Sequence, residues 1–122
     1  MVALMSIKPQ SGKAKARLQQ QRIAKTLSAI FGWEDGDCTS RPMGSPGVDL
    51  IMSPKAKKEF PFSVEAKKTK KAPGVAELEQ AKANAYSGTT GVVVWSPHGT
   101  SKLILSIDLE DLAKLWKVTN AK

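Results

Sequence analysis

From Lys13 to Phe31 the chain reads KAKARLQQQRIAKTLSAIF, and Ile23, Leu27, Ile30 and Phe31 recur at i, i+4, i+7 and i+8. That spacing predicts an amphipathic helix, with Ser11 as its N-cap and Gly32 as its stop. Turn formers crowd residues 34–47, EDGDCTSRPMGSPG, with room for a short strand from Cys38 to Arg41. VDLIMS at 48–53 and EFPFSVEAK at 59–67 each predict a strand, and PKAKK between them predicts the turn of a hairpin. Pro61 makes the start of the second strand an edge or an irregular point. After the basic loop TKKAPG, a helix is predicted over 75–86, with Leu78, Ala81 and Ala85 on one face. GVVVW at 91–95 is a continuous apolar run, the pattern of a strand covered on both faces. SPHGTS turns the chain, KLILSI at 102–107 predicts another strand, and Asp108 caps a last helix packing through Leu109, Leu112, Leu115 and Trp116.

The predicted order is α-β-β-β-α-β-β-α, an α/β protein with a small mixed sheet flanked by helices. A chain of 122 residues suits one domain, with residues 1–12 as a flexible N-terminal segment and 13–122 as the folded unit. It contains no internal repeat and no apolar stretch of the roughly 18 residues that a membrane span requires.

The predicted hairpin carries unexpected chemistry. Alternation puts Ser63, Glu65 and Lys67 on one face of the second strand, with Phe62, Val64 and Ala66 on the other. On the first strand Asp49 and Ile51 oppose Val48, Leu50 and Met52. A suitable register brings Asp49 next to Glu65 and Lys67. Two carboxylates a few ångströms apart repel unless a proton or cation lies between them. Mg2+ takes oxygen ligands at about 2.0–2.1 Å and commonly uses one or two carboxylates with waters and phosphates. The Ala66 carbonyl points near the same place as a further ligand. Lys67 would orient a metal-bound water or stabilise charge developing on a phosphate. Against this stands the ordinary alternation of a strand with one solvated face, which the E-x-K spacing alone does not exclude.

Charge sharpens the choice. The formal net charge is +8. Residues 1–30 carry six basic residues and no acids, and residues 55–72 carry seven lysines against two glutamates. The segment between them is acidic and the remainder is balanced, so a polyanion, nucleic acid first, is the expected partner. The single cysteine, Cys38, has no marked base to activate it and favours a reducing, cytoplasmic compartment. His98 falls in a turn and reads as a surface residue, and Trp33, Trp95 and Trp116 are too dispersed for a base-stacking platform.

RPMGSPGVDLIMSP, FPFSVEAKK and ELEQAKANA, in that order, resemble the PD-(D/E)XK nuclease superfamily, in its phage-type endonuclease branch related to Holliday junction resolvases. The resemblance runs from about Gly12 to the last helix. It implies a restriction-endonuclease-like core, with Asp49 and Glu65 as metal-binding acids and Lys67 as the catalytic lysine. It implies that Gln80, in a stripe with Glu77 and Asn84, helps order the active site. It further implies Mg2+ with Mn2+ as substitute, branched or duplex DNA as substrate, a two-fold homodimer, and a phage-encoded protein acting in a bacterial host. Contacts to the DNA backbone are expected from Lys13 and Arg17 on the first helix, from Arg41 and Ser45, with Ser40, on the loop, and from Lys68, Lys70 and Lys71. Two positions depart from the pattern. Gln19 to Gln21 stand where many members have a first-helix acid, and Val48 stands where this branch often has a second acid. These departures keep two further readings open: a nucleic-acid-binding module without catalysis, and a protein whose basic faces dock an acidic partner.

Overall fold

The computed structural model describes residues 12–42, 44–69, 71–97 and 99–119; Ser11, Lys70 and His98 lie outside them. The elements run α1 (Gly12–Phe31), β1 (Cys38–Ser40), β2 (Leu50–Met52), α2 (Pro54–Glu59), β3 (Phe62–Lys67), α3 (Val75–Asn84), β4 (Thr90–Trp95), β5 (Ile104–Ser106) and α4 (Leu109–Thr119). This is an α/β fold with small mixed sheets. Among the described residues no helix is long and apolar enough to cross a membrane.

β1 and β2 pair antiparallel, Cys38 opposite Met52 and Ser40 opposite Leu50. β3 and β4 pair parallel, from Phe62 opposite Thr90 to Lys67 opposite Trp95, and β4 pairs antiparallel with β5. β4 is thus the central strand, and Val92, Val93 and Val94 are buried as its apolar run predicts. A parallel pair needs a crossover, which α3 supplies. α3 lies so close to β4 that a Cβ at Gly91 would overlap the Ala81 carbonyl and stand 2.6 Å from Lys82 Cα, so this position admits only glycine without a backbone shift.

The hairpin expected over residues 48–67 does not form. β2 pairs with β1 instead, and PKAKK belongs to the short helix α2. The reason is local. Ser53 is an N-cap whose Oγ accepts a hydrogen bond from Ala56 N at 3.1 Å, Pro54 opens the helix, and Ala56 is fully buried. Proline at the first helical position is preorganised for a helix start, and that preference outweighs a five-residue turn.

α1 ends as predicted. Gly32 has φ +70°, and Trp33 N donates to Ser28 O at 3.0 Å. Its inward face is rotated from the expected one: Gln19, Gln20, Ile23 and Ala24 are buried, whereas Ile30 is 72% exposed. Phe31 stacks on Trp33 with centroids 4.8 Å apart and meets Phe60 edge-on at 5.8 Å. The core gathers Ile23, Trp33, Leu50, Met52, Val64, Val92 and Val94 into one cluster. α4 departs most from expectation. Leu109 and Trp116 are 77% and 69% exposed, so of the four apolar residues expected to pack only Leu115 is half-buried, with Leu112 at the margin. The helix is tied to α3 electrostatically, through Lys82 Nζ to Asp111 at 3.1 Å and to Asp108 at 3.6 Å.

Candidate metal and nucleic-acid site

Asp49 joins the two sheets. Its carbonyl accepts from Arg41 N at 2.8 Å, and its own N–H donates to Val64 O at 3.1 Å. Its carboxylate Oδ2 accepts from Ala66 N at 2.7 Å. The carboxylates therefore meet without a hairpin ladder, through two hydrogen bonds between the entry to β2 and the middle of β3. In a strand the N–H and C=O of one residue point to the same edge. The Ala66 carbonyl consequently points to the same edge of β3 as its N–H, toward β2.

The solvated-face alternative fails at Glu65, which is only 8% exposed. Burial pushes its carboxyl up to about 7, and the charge of Asp49 and a hydrogen bond to the Asp49 side chain push the same way. Asn84 on α3 and the Lys67 ammonium pull it back. Asn84 Nδ2 donates to Glu65 Oε1 at 3.5 Å. Gln80, one turn earlier on α3, is exposed, as is Asn84, and it is the Asn84 amide that reaches Glu65. Glu77 accepts from Gly74 N at 2.7 Å and caps the start of α3.

The donor set suits a hard cation. The two carboxylates lie side by side, and none of the ion pairs among the described residues involves Asp49 or Glu65; all are made by Lys82. Among the described residues no group of three or more His, Cys, Asp or Glu side chains that could hold a metal ion occurs. Gln20, in the place of the first-helix acid, is 6% exposed, and its Oε1 has no hydrogen-bond partner.

The basic residues divide. Lys67 and Lys71 line a cavity of about 640 Å³ with Thr69, Pro73 and Glu77, beyond the end of β3. Lys13, Arg17, Ser45 and Lys68 are exposed. Arg41 is half-buried and held within the fold: Nε donates to Val48 O and Nη2 to the Tyr86 hydroxyl, and Gly47, at φ +115°, lets the loop pass against the guanidinium. It braces the loop that delivers Asp49. Sequence reasoning missed Tyr86, Gln19, Arg22 and Ser96, whose roles depend on contacts across 45 to 77 residues of chain. Their only local sign was a run of glutamines on the inward side of a helix.

The chain matches no family model, no curated protein and no solved structure.

Proposed function

We propose that this chain is a metal-dependent DNA endonuclease with a restriction-endonuclease-like, PD-(D/E)XK core. The observation that carries this reading is the buried Glu65 carboxyl beside the half-buried Asp49 carboxylate, with Lys67 as the nearby cation and no ion pair to either acid among the described residues. Asp49, Glu65 and the Ala66 carbonyl would hold Mg2+ or Mn2+. Once bound, the ion would supply positive charge to the phosphate and lower the pKa of a coordinated water. Ala66 N fixes the Asp49 carboxylate and Asn84 fixes that of Glu65. The Lys67 ammonium donates to the phosphate oxygen that gains negative charge, a contribution that grows toward the transition state. The ordering role that the resemblance gives Gln80 falls in this reading to Asn84, one turn later on α3. Lys13, Arg17, Ser45, Lys68, Lys70 and Lys71 engage the flanking backbone.

The preferred substrate in this reading is branched DNA, cut by a two-fold dimer. The exposed apolar residues Leu109 and Trp116 of α4 support an interface there, because two-fold dimers join identical patches. A second reading, a binding module without catalysis, is favoured by Gln20 and Val48 standing where acids would strengthen the metal site. Labelled four-way junction, flap, linear duplex and single strand, each with Mg2+, Mn2+ or chelator, separate the two. Metal-dependent cutting, lost in a folded Glu65→Ala protein, is expected. Binding without cutting of any substrate selects the second reading.

A further inference from the structure

Away from the carboxylates, Lys15, Leu18, Gln19 and Arg22 on one face of α1 meet Lys68, the first residue past β3, around a cavity of about 170 Å³. We infer that this cavity is a phosphodiester-binding subsite, built to hold one backbone phosphate of a nucleic acid through Arg22, Lys15 and Lys68. The inference rests on the nucleic-acid side of the proposed function and not on catalysis.

Three observations carry it. The cavity lining contains three cations and no carboxylate. None of the three cations takes part in an ion pair among the described residues. Converging like charges left without a counter-ion raise one another's energy and are relieved by an anion. Second, the guanidinium is fixed from behind. Arg22 Nη1 donates to Ser96 Oγ at 3.2 Å, and Ser96 is 3% exposed. Gln19, also 3% exposed, donates through Nε2 to the same Ser96 oxygen at 3.0 Å and to Lys67 O at 3.3 Å. A guanidinium preorganised in this way loses little freedom on forming a forked contact with phosphate oxygens. Third, the cavity is smaller than the roughly 300 Å³ at which small-molecule pockets begin. It suits an anionic group and not a whole nucleotide, and Lys68 continues into the basic stretch up to Lys71.

The buried amide gives the subsite a second consequence. Gln19 connects the cavity wall to the backbone of Lys67, so a phosphate seated on Arg22 bears on the strand end that carries the catalytic lysine. Gln19 is a positioning residue in this scheme.

The test is the salt dependence of DNA binding by the intact protein in chelator, where no cleavage occurs, read by fluorescence anisotropy on a labelled duplex. Each phosphate contact contributes about 0.9 to the slope of log K against log salt. The Arg22→Ala/Lys68→Ala double variant is expected to lower the slope by about that amount, and each single variant by part of it. Arg22→Lys should keep the slope but bind several-fold more weakly, because it keeps the charge and loses the fork. Lys117→Ala, on the charge-balanced C-terminal helix, should change neither. An unchanged slope in both Arg22→Ala and Lys68→Ala overturns the subsite. So does an equal loss in Lys117→Ala, which would reduce the effect to net charge. Inorganic phosphate at constant ionic strength is the remaining arm. If it binds saturably in a manner that Arg22→Ala abolishes, while DNA affinity stays unchanged, the site serves free phosphate and the inference fails. A protein that never cuts DNA still passes the slope test, and one that fails it can still cut, so the two readings fall separately.

Discussion

Glu65 is buried beside another carboxylate, and that position costs the folded protein free energy whenever the group is ionised. Its carboxyl is pushed up to about 7 from an ordinary 4.5. Between those values the native state holds a proton that the unfolded chain has released. The stabilising contribution of the protonated form is therefore complete below pH 4.5 and is lost as pH rises through 7. A tenfold difference in proton affinity between the folded and unfolded chain corresponds to about 1.4 kcal/mol. Metal-free protein should accordingly melt at lower temperature at pH 8 than at pH 5, and Glu65→Gln should flatten that dependence, as thermal unfolding across pH would report. Asp49→Asn removes one of the pushes, so the Glu65 carboxyl should titrate lower in that variant, measurable by carbon-detected NMR of the side chain. At this scale the sequence was informative. Asp49, Glu65 and Lys67 stood out because charge interrupted apolar alternation. Gln19 and Ser96 did not, because a buried amide and hydroxyl bonded to each other across 77 residues leave no periodic trace.

Elements place these residues through a few backbone decisions. Gly91 lets α3 lie directly on β4, and Asn84 rides on that helix to Glu65. Gly91→Ala should cost about 1–3 kcal/mol through overpacking, and it should loosen the Asn84 contact. Chemical denaturation would give the first effect and the Glu65 titration the second. Ser53→Ala should cost about 1 kcal/mol by uncapping α2, without displacing Asp49, whose position depends on β1 and β3. The elements were largely legible in the sequence, since amphipathic spacing and apolar runs report burial. Their pairing was less so. Ser53-Pro54 is a helix start that resembles a turn when only five residues separate two strands. Nothing local distinguishes a hairpin from a strand that takes a partner upstream. α4 illustrates the converse: its apolar stripe was legible, but the stripe is exposed, because periodicity reports a face and not what covers it.

For the whole molecule, charge is distributed unevenly, while exposed apolar residues occur on both the basic first helix (Ile30) and the last helix (Leu109, Trp116). The basic excess lies in α1 and in the segment around β3, whereas the C-terminal part is balanced and bears the exposed Leu109 and Trp116. The dimer proposed above is tested at the last helix. Trp116→Glu should shift a concentration-dependent dimer to monomer in analytical ultracentrifugation while leaving the fold intact. Neither the charge division nor the exposed stripe explains the carboxylates, however. A chain with eight excess positive charges leaves Asp49 and Glu65 without an ion pair among its described residues, and a bound cation would compensate them. Calorimetric titration of Mn2+ at pH 7, in two buffers of different ionisation enthalpy, tests this most directly. Saturable binding with net proton release is expected, because Glu65 must give up its proton to ligate, and Asp49→Asn should abolish it. Absence of saturable binding, or equal binding by Asp49→Asn, would contradict the assignment of this pair as a metal site.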